Sequence, residues 1–410
     1  MRSNLCHAVC AACFMAAVAT SPALAQDPAA AGDPPLGQAA GATALPRAEQ
    51  APQAEAAVDA RSWLERHGVT FVSLYTVEAF GRIDSPRLPS ASRYLGSCSP
   101  SITLDLRRMG AGRGEVFASG HLLRGQAPEG VPVQRVSNLD APSFEKVAEV
   151  WYADTYWSGR LRLKGGWQYA DAEFGVLETA RAFLNASYGA IPTTPMPSYP
   201  DSALGLTSWV APIPSVSVGV GVFRGALAVA PEGRAEGAGR MGPFAIVEAR
   251  AEPFRSAEGP KATFRVGMWR QSSGALNALP GPASDAASRH GFYATAEHRF
   301  GGGPVGAQAG DWGVFAQWGM APPGASEVSR YVGGGIVRQG PIPSRPDDAA
   351  GAGITRAALF EGGRETVLEV FYQLQLHGGA FVQPDLQWID SSRHPRSRAI
   401  AAGVRFGLEF

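Results

Sequence analysis

Three reactive constellations can be sought directly in the residue types. Ser143 and Lys146 match S-x-x-K, in which a lysine activates a serine nucleophile, but the companion S-D-N and K-T-G triplets are absent. The pair also follows Pro142 at the entrance to a strand, so it is read as coincidence. No Gly-Lys dipeptide occurs, and with it goes any phosphate-cradling loop. The seven histidines include no i, i+4 pair, so no zincin motif exists, and neither a metal nor a cofactor is expected. What is left is recognition without reaction. Residues of both charge signs recur at alternating positions: Glu149, Trp151, Arg162, Lys164, Arg265, Trp269, Glu297, Arg299, Glu369, Asp385, Gln387 and Arg405. A long connection adds Asp171, Glu173, Glu178, Arg181 and Asn185. Paired donors and acceptors with an occasional aromatic suit a small polar solute. The opposed charges would also order water across a narrow passage and disfavour apolar solutes.

Such residues need elements that set them side by side, and the body of the chain has the two-residue period of strands. In Glu365–Leu376 one face carries Glu365, Val367, Glu369, Phe371, Gln373 and Gln375, and the other carries Thr366, Leu368, Val370, Tyr372, Leu374 and Leu376. Ile400–Phe410 repeats the pattern, and Phe292–Phe300 sets Tyr293, Thr295, Glu297 and Arg299 against Phe292, Ala294, Ala296, His298 and Phe300. His298 falls on the apolar face and is read as structural. About sixteen strands can be placed: 69–80, 99–108, 114–123, 147–157, 160–169, 203–211, 215–224, 244–251, 261–271, 290–300, 311–320, 328–339, 351–360, 364–376, 379–389 and 398–410.

A soluble sandwich also alternates, and three features separate the two cases. The polar faces carry charges of both signs with glycines between them, as in a wet lumen. Aromatics gather near strand ends, as at Tyr152, Tyr156, Trp157 and Trp388, which suits the girdles at a membrane interface. The chain also ends on a strand with Phe410. The expected fold is therefore all-β, a transmembrane antiparallel barrel of about sixteen strands. Every backbone polar group in lipid needs a partner, so the sheet must close, and a barrel of this size leaves an aqueous channel. The insert Asp171–Tyr199 after the fifth strand is expected to fold inward and narrow it. The expected constriction sets Asp171, Glu173, Arg181 and Asn185 against Arg162 and Lys164.

Composition agrees with an exported, charge-poor protein. Only 18% of residues are charged, against about 25% in soluble domains. Lys+Arg and Asp+Glu are both 36, which supplies no basic footprint for nucleic acid. Residues 1–25 read as a signal peptide: Arg2 precedes a short apolar run, and Ala23-Leu24-Ala25 is an A-x-A cleavage site. Three of the four cysteines leave with it, so Cys98 alone remains and no internal disulfide forms. Residues 26–60 are rich in Ala, Pro, Gly, Gln and Glu and read as a disordered linker. Arg61–Gly68 is expected to form a short helical turn stopped by Gly68, and residues 61–410 are assigned to the barrel domain.

In this order along the chain, several stretches resemble the carbohydrate-selective porin family, OprB. They are Gly68–Phe80 (GVTFVSLYTVEAF), Val136–Pro142 (VSNLDAP), Glu149-Val150-Trp151, Ala170–Phe174 (ADAEF), Phe183–Gly189 (FLNASYG), Tyr199-Pro200 with Ala203-Leu204-Gly205, Gly340–Asp348 (GPIPSRPDD) and Glu365–Ile389 with QPDLQWI. Coverage runs from about Trp63 to Phe410. The resemblance implies a sixteen-stranded outer-membrane barrel for passive uptake of monosaccharides such as glucose into the periplasm. Where the family pattern commonly has a Gln after the glycine of the fifth strand and a Glu two residues after the Trp of the fourth, this chain has Trp167 and Ala153. Both positions are compatible with the lumen, so the family's sugar preference need not transfer intact. The partners implied are small sugars, outer-membrane lipid and lipopolysaccharide, with the homotrimer common among porins as the assembly. The arginine bias keeps a general or organic-acid porin as the alternative. A barrel enzyme and a secreted adhesive β protein rank below it.

Overall fold

The computed structural model describes residues 60–82, 93–125, 133–224, 242–256, 259–272, 289–301, 310–323, 325–392 and 397–410. The expected signal peptide and all but the last residue of the linker lie outside these. Residues 60–66 form a helix, and Gly68 ends it at φ 85°, where a Cβ would stand 2.7 Å from the Asp105 carbonyl oxygen. That position admits only glycine.

All sixteen expected strands are present. They are β1 (Val69–Arg82), β2 (Arg93–Asp105), β3 (Glu115–Gly125), β4 (Phe144–Tyr156), β5 (Leu161–Gln168), β6 (Ala203–Ile213), β7 (Val216–Phe223) and β8 (Phe244–Ala251). The second half contains β9 (Ala262–Gln271), β10 (Arg289–Phe300), β11 (Trp312–Met320), β12 (Val328–Gln339), β13 (Ala349–Leu359), β14 (Arg364–Gln375), β15 (Ala380–Ser391) and β16 (Ser397–Glu409). β2 begins earlier than expected, because Gly96–Pro100 has the composition of a turn yet pairs as strand with β1. Each strand pairs antiparallel with its sequence neighbours, and β1 closes the ring on β16 through Tyr75↔Leu408 and Glu78↔Arg405. Buried Glu78 and Arg405 form an ion pair across this seam.

The alternation sorts the faces as expected. Val218, Val220, Val222, Leu206, Val266, Ile354, Leu368, Val370 and Val404 form an exposed apolar band, the surface a bilayer requires. Two aromatic rows bound it. Phe71, Tyr152, Trp157, Phe300 and Trp312 lie toward the end that holds both termini, and Tyr94, Trp167, Phe292, Trp318 and Trp388 lie toward the far end. Connections at the termini end include two-residue Pro214-Ser215 between β6 and β7 and the turn 340–348, where Asp348 accepts from Arg345 at 2.5 Å and from the Tyr372 hydroxyl at 2.5 Å. The hydrogen bonds from Arg345 hold the Asp348 carboxyl down at about 2.

The interior departs from an open wet tube. The β5–β6 connection turns inward, as expected, and packs Phe174, Ile191 and Met196 against inward Phe223, Phe244, Trp269, Tyr293 and Tyr331. Phe183 and Tyr188 pack against Phe315 on β11 and Phe371 on β14. Contacts to β7, β8, β9, β10, β11, β12 and β14 at once are available only from inside the ring. The β3–β4 connection enters as well, which the sequence reading did not anticipate: Val136 packs on Val367 and Ile389. The lumenal glycines are where these segments come closest. A Cβ on Gly221 would stand 2.7 Å from the Phe174 ring, one on Gly313 2.7 Å from the Thr179 methyl, and one on Gly353 2.6 Å from the Tyr188 ring.

Candidate functional site

Five inward glutamates hold the two lumenal segments by their backbone N–H groups. Glu149 accepts from Tyr169 at 3.1 Å, Glu248 from Gly175 at 2.7 Å, and Glu297 from Thr179 at 3.0 Å. Glu369 accepts from Leu184 at 2.6 Å and Asn185 at 3.1 Å, while Glu365 takes Gln134 at 2.7 Å and Val133 at 3.3 Å. An irregular segment inside a barrel has donors that no strand can satisfy, and a carboxyl group has two oxygens with which to accept them. Asn185 completes the seal. Its side chain caps the short helix Ala186–Gly189 through the Ser187 N–H and donates to the Gln134 carbonyl and to Gln387. Gln387 in turn donates to the Val136 carbonyl and to Asp385. The two inward segments are thus tied to each other and to β14 and β15.

Between the β5–β6 segment and the termini end, the lumen is lined by charge. Glu173 accepts from Arg162 at 2.9 Å and from Lys164 at 3.1 Å. Arg162 also lies 3.7 Å from Glu115. The Lys164 side chain is only 3% exposed and sits 4.3 Å above the Trp151 ring, so its charge is met by a carboxylate on one side and an aromatic face on another. Burial works against the charged form of Glu173, but Lys164 and Arg162 outweigh it and hold the carboxyl below the usual range. Half-buried Asp171 is pushed up to about 7, by burial first and then by Glu149.

The adjoining wall of this mouth is built by β6, β8 and β9. The Arg250 guanidinium lies 4.2 Å over Trp209, whose ring stacks on Phe174 at 5.4 Å. Arg265 binds Glu297 at 3.0 Å and approaches Glu248 at 3.7 Å. Arg162, Glu173, Trp209, Arg250 and Arg265 border a cavity of about 340 Å³. Arg250 Nε, Arg265 Nε and Glu248 Oε1 are buried without a hydrogen-bond partner. The cavity border offers guanidinium donors from Arg162, Arg250 and Arg265 and a carboxylate acceptor from Glu173 around one small volume. A second cavity of about 490 Å³ lies at the far end, lined by Pro192, Pro195, Pro197, Tyr199, Glu327 and Arg135.

The six residues expected to face one another divide between two places. Glu173, Arg162 and Lys164 meet. Asn185 lies across the lumen with Glu369 and Asp385, and exposed Arg181 pairs at 2.7 Å with Glu178, which borders the mouth cavity. Asp171 lies near Glu149. Trp151, Arg265, Trp269, Glu297, Gln387 and Arg405 all stand on the inward face. Of the two positions at which this chain departs from the family pattern, Ala153 is inward and buried, whereas Trp167 is 49% exposed on the outer wall. The next residue, Gln168, takes the lumenal place. Trp209, Glu248 and Arg250 went unselected from sequence. The inward face of β8 mixes Phe244 and Ile246 with Glu248 and Arg250, so polarity alone does not mark it as lumenal.

A closed sixteen-stranded antiparallel barrel with an apolar exterior, two aromatic rows and a charge-lined, loop-narrowed interior is a porin of the outer membrane. A family model described as "Carbohydrate-selective porin, OprB family" matches residues 93–410, and the chain belongs to that family. Its fold is similar to the high-pH structure of Pseudomonas putida OprB, at TM-score 0.72 and 19% identity over 86% of this chain and 96% of that one. The low-pH structure of the same protein follows at TM-score 0.58, again at 19% identity over 86% and 96%. A loop-deletion form of OmpT, an outer membrane protein of Vibrio cholerae, reaches TM-score 0.52 at 10% identity over 83% and 99%. A sequence search among curated proteins finds no match.

Proposed function

We propose that this porin conducts monosaccharides such as glucose by passive diffusion from the cell exterior to the periplasm, after export by a cleaved signal peptide. The observation that carries the reading is the cavity of about 340 Å³ at the charged mouth, bordered by the guanidinium groups of Arg162, Arg250 and Arg265, the Glu173 carboxylate and Trp209. A sugar entering it would meet those donors and that acceptor with its hydroxyls. Weak binding suffices, because a tight site would stop flux. Glu149, Trp151, Arg162, Lys164, Asp171, Glu173, Arg181, Asn185, Arg265, Glu369 and Asp385 are the proposed pore-lining set, divided between solute contact at the charged mouth and retention of the inward segments. The orientation is supported by the longer connections at the far end, including residues 169–202, because barrels of this kind keep short turns on the periplasmic side. Lipid and lipopolysaccharide would surround the outer wall, and a homotrimer is the proposed assembly.

One observation favours a second reading. Among the described residues lining the mouth, four are arginines (Arg160, Arg162, Arg250 and Arg265) and two are glutamates (Glu173 and Glu178), which suits a small organic anion. Liposome swelling with glucose, a disaccharide and an organic anion of glucose's size decides between them. Fast glucose entry with a steep fall for the disaccharide is expected. Anion entry equal to or faster than glucose would replace the sugar reading with the anion one.

A further inference from the structure

The outer wall differs between its two rims. At the termini end, cations are neutralised or covered: Arg107 and Arg113 reach Asp154 at 3.1 and 3.4 Å, Arg345 pairs with Asp348, and Arg338 lies over the Trp312 ring. At the far end, Arg330, Arg356 and Arg364 point outward from three adjacent strands, β12, β13 and β14, and all three are exposed. Among the described residues none of their guanidinium groups has a carboxylate partner. Arg330 and Arg364 both oppose Ala358, and Arg356 stands two residues from Ala358 on the strand between them. Diagonal neighbours of this kind are about 7–8 Å apart, and like charges so placed repel unless an anion sits among them. The nearest outward carboxylate along the Arg356 row, Asp390, is bound by Arg398 at 3.0 Å.

Their height on the wall identifies the anion. Arg356 shares a row with Trp318 and Val332, one pleat beyond Ile354, Leu368 and Trp388. Arg356 is therefore level with the aromatic row that bounds the apolar band, and Arg330 and Arg364 stand one pleat beyond it, where lipid phosphates lie. Small Ala358 leaves the floor between the three guanidinium groups open, and arginine forks match phosphate oxygens in pairs.

We propose that Arg330, Arg356 and Arg364 form a binding site for the phosphorylated head group of an outer-leaflet glycolipid of the lipid A type, with the acyl chains lying down the β12–β14 wall. Arg270, exposed on the same rim at β9, extends the basic surface. The inference rests on the reading that the far end faces the cell exterior, but it is independent of which solute the channel passes.

The test is native mass spectrometry of the folded barrel in neutral detergent, with bis-phosphorylated lipid A and its dephosphorylated analogue as probes. Retention of the phosphorylated form is expected to fall about fivefold in Arg356→Gln and roughly a hundredfold when Arg330→Gln and Arg364→Gln are added. The analogue should bind the parent protein as weakly as lipid A binds the triple variant, and millimolar inorganic phosphate should not displace the lipid. Equal retention by parent and variants, equal binding of the analogue, or displacement by free phosphate would overturn the proposal. Heat-modifiable gel mobility verifies folding, and single variants carry the test if the triple one does not insert. Glucose-driven swelling should be the same for parent and variants, so a failed sugar reading leaves the lipid result intact.

Discussion

Glu173 is the pivot of the charged mouth because it alone accepts from both Arg162 and Lys164. Glu173→Gln is expected to leave Lys164 without its carboxylate and Arg162 with Glu115 alone, and to shift the channel toward anions, read as a change of reversal potential across a KCl gradient. Unchanged selectivity would mean that solutes do not pass this ion triad. Asp171 adds a pH dependence. Its carboxyl, raised to about 7 by burial and Glu149, is largely neutral below that pH and charged above it. The lumen therefore gains negative charge as pH rises from about 6 to 8, and cation preference should rise with it. Asp171→Asn is expected to flatten the profile.

The inward segments are elements without ladders, and their order depends on wall carboxylates and on wall glycines. Glu369→Ala would strip the partners from the Leu184 and Asn185 N–H groups, which are buried. A cost of about 2–6 kcal/mol is expected from two buried N–H groups left without an acceptor. That cost should appear as a looser segment, giving higher and noisier single-channel conductance and faster disaccharide swelling. A variant with parental conductance and size cut-off would show that the cores around Phe183 and Phe174 hold the segment unaided. Gly221, Gly313 and Gly353 make this packing close, since each leaves the space its neighbour on the segment occupies. Glycine between charges on a strand face therefore marks contact with an inserted segment here, where it had read as the sign of a wet lumen.

Across the whole barrel, the decisive asymmetry is between the two faces of one sheet. Val220 stands on the outer wall near mid-strand in β7, so Val220→Arg should cost about 2–4 kcal/mol in folding into lipid vesicles, measured by denaturant titration of the inserted barrel. A cost near zero would deny that this band faces hydrocarbon. Three of the eight stretches that carry the family resemblance, VSNLDAP, ADAEF and FLNASYG, lie in the two inward segments, and the longest ones lie in strands of the wall.

Strand number, closure and the sense of each face were legible in the sequence, because a period of two is a local property and lipid permits no open edge. Inward placement of Arg162, Lys164, Arg265, Glu369 and Asp385 followed from the same periodicity. Only the tertiary structure decided which of these side chains meet, since cross-lumen distances depend on barrel shear and on the path of segments that have no period. It sent Asn185 to one wall and Glu173 to the other, paired Arg181 with Glu178, and added Trp209 together with Glu248 and Arg250 from a face whose polarity is mixed. It also brought the β3–β4 connection inside. A residue's face is set by its neighbours one and two positions away, but its partners across the lumen are set by the closure of the whole sheet.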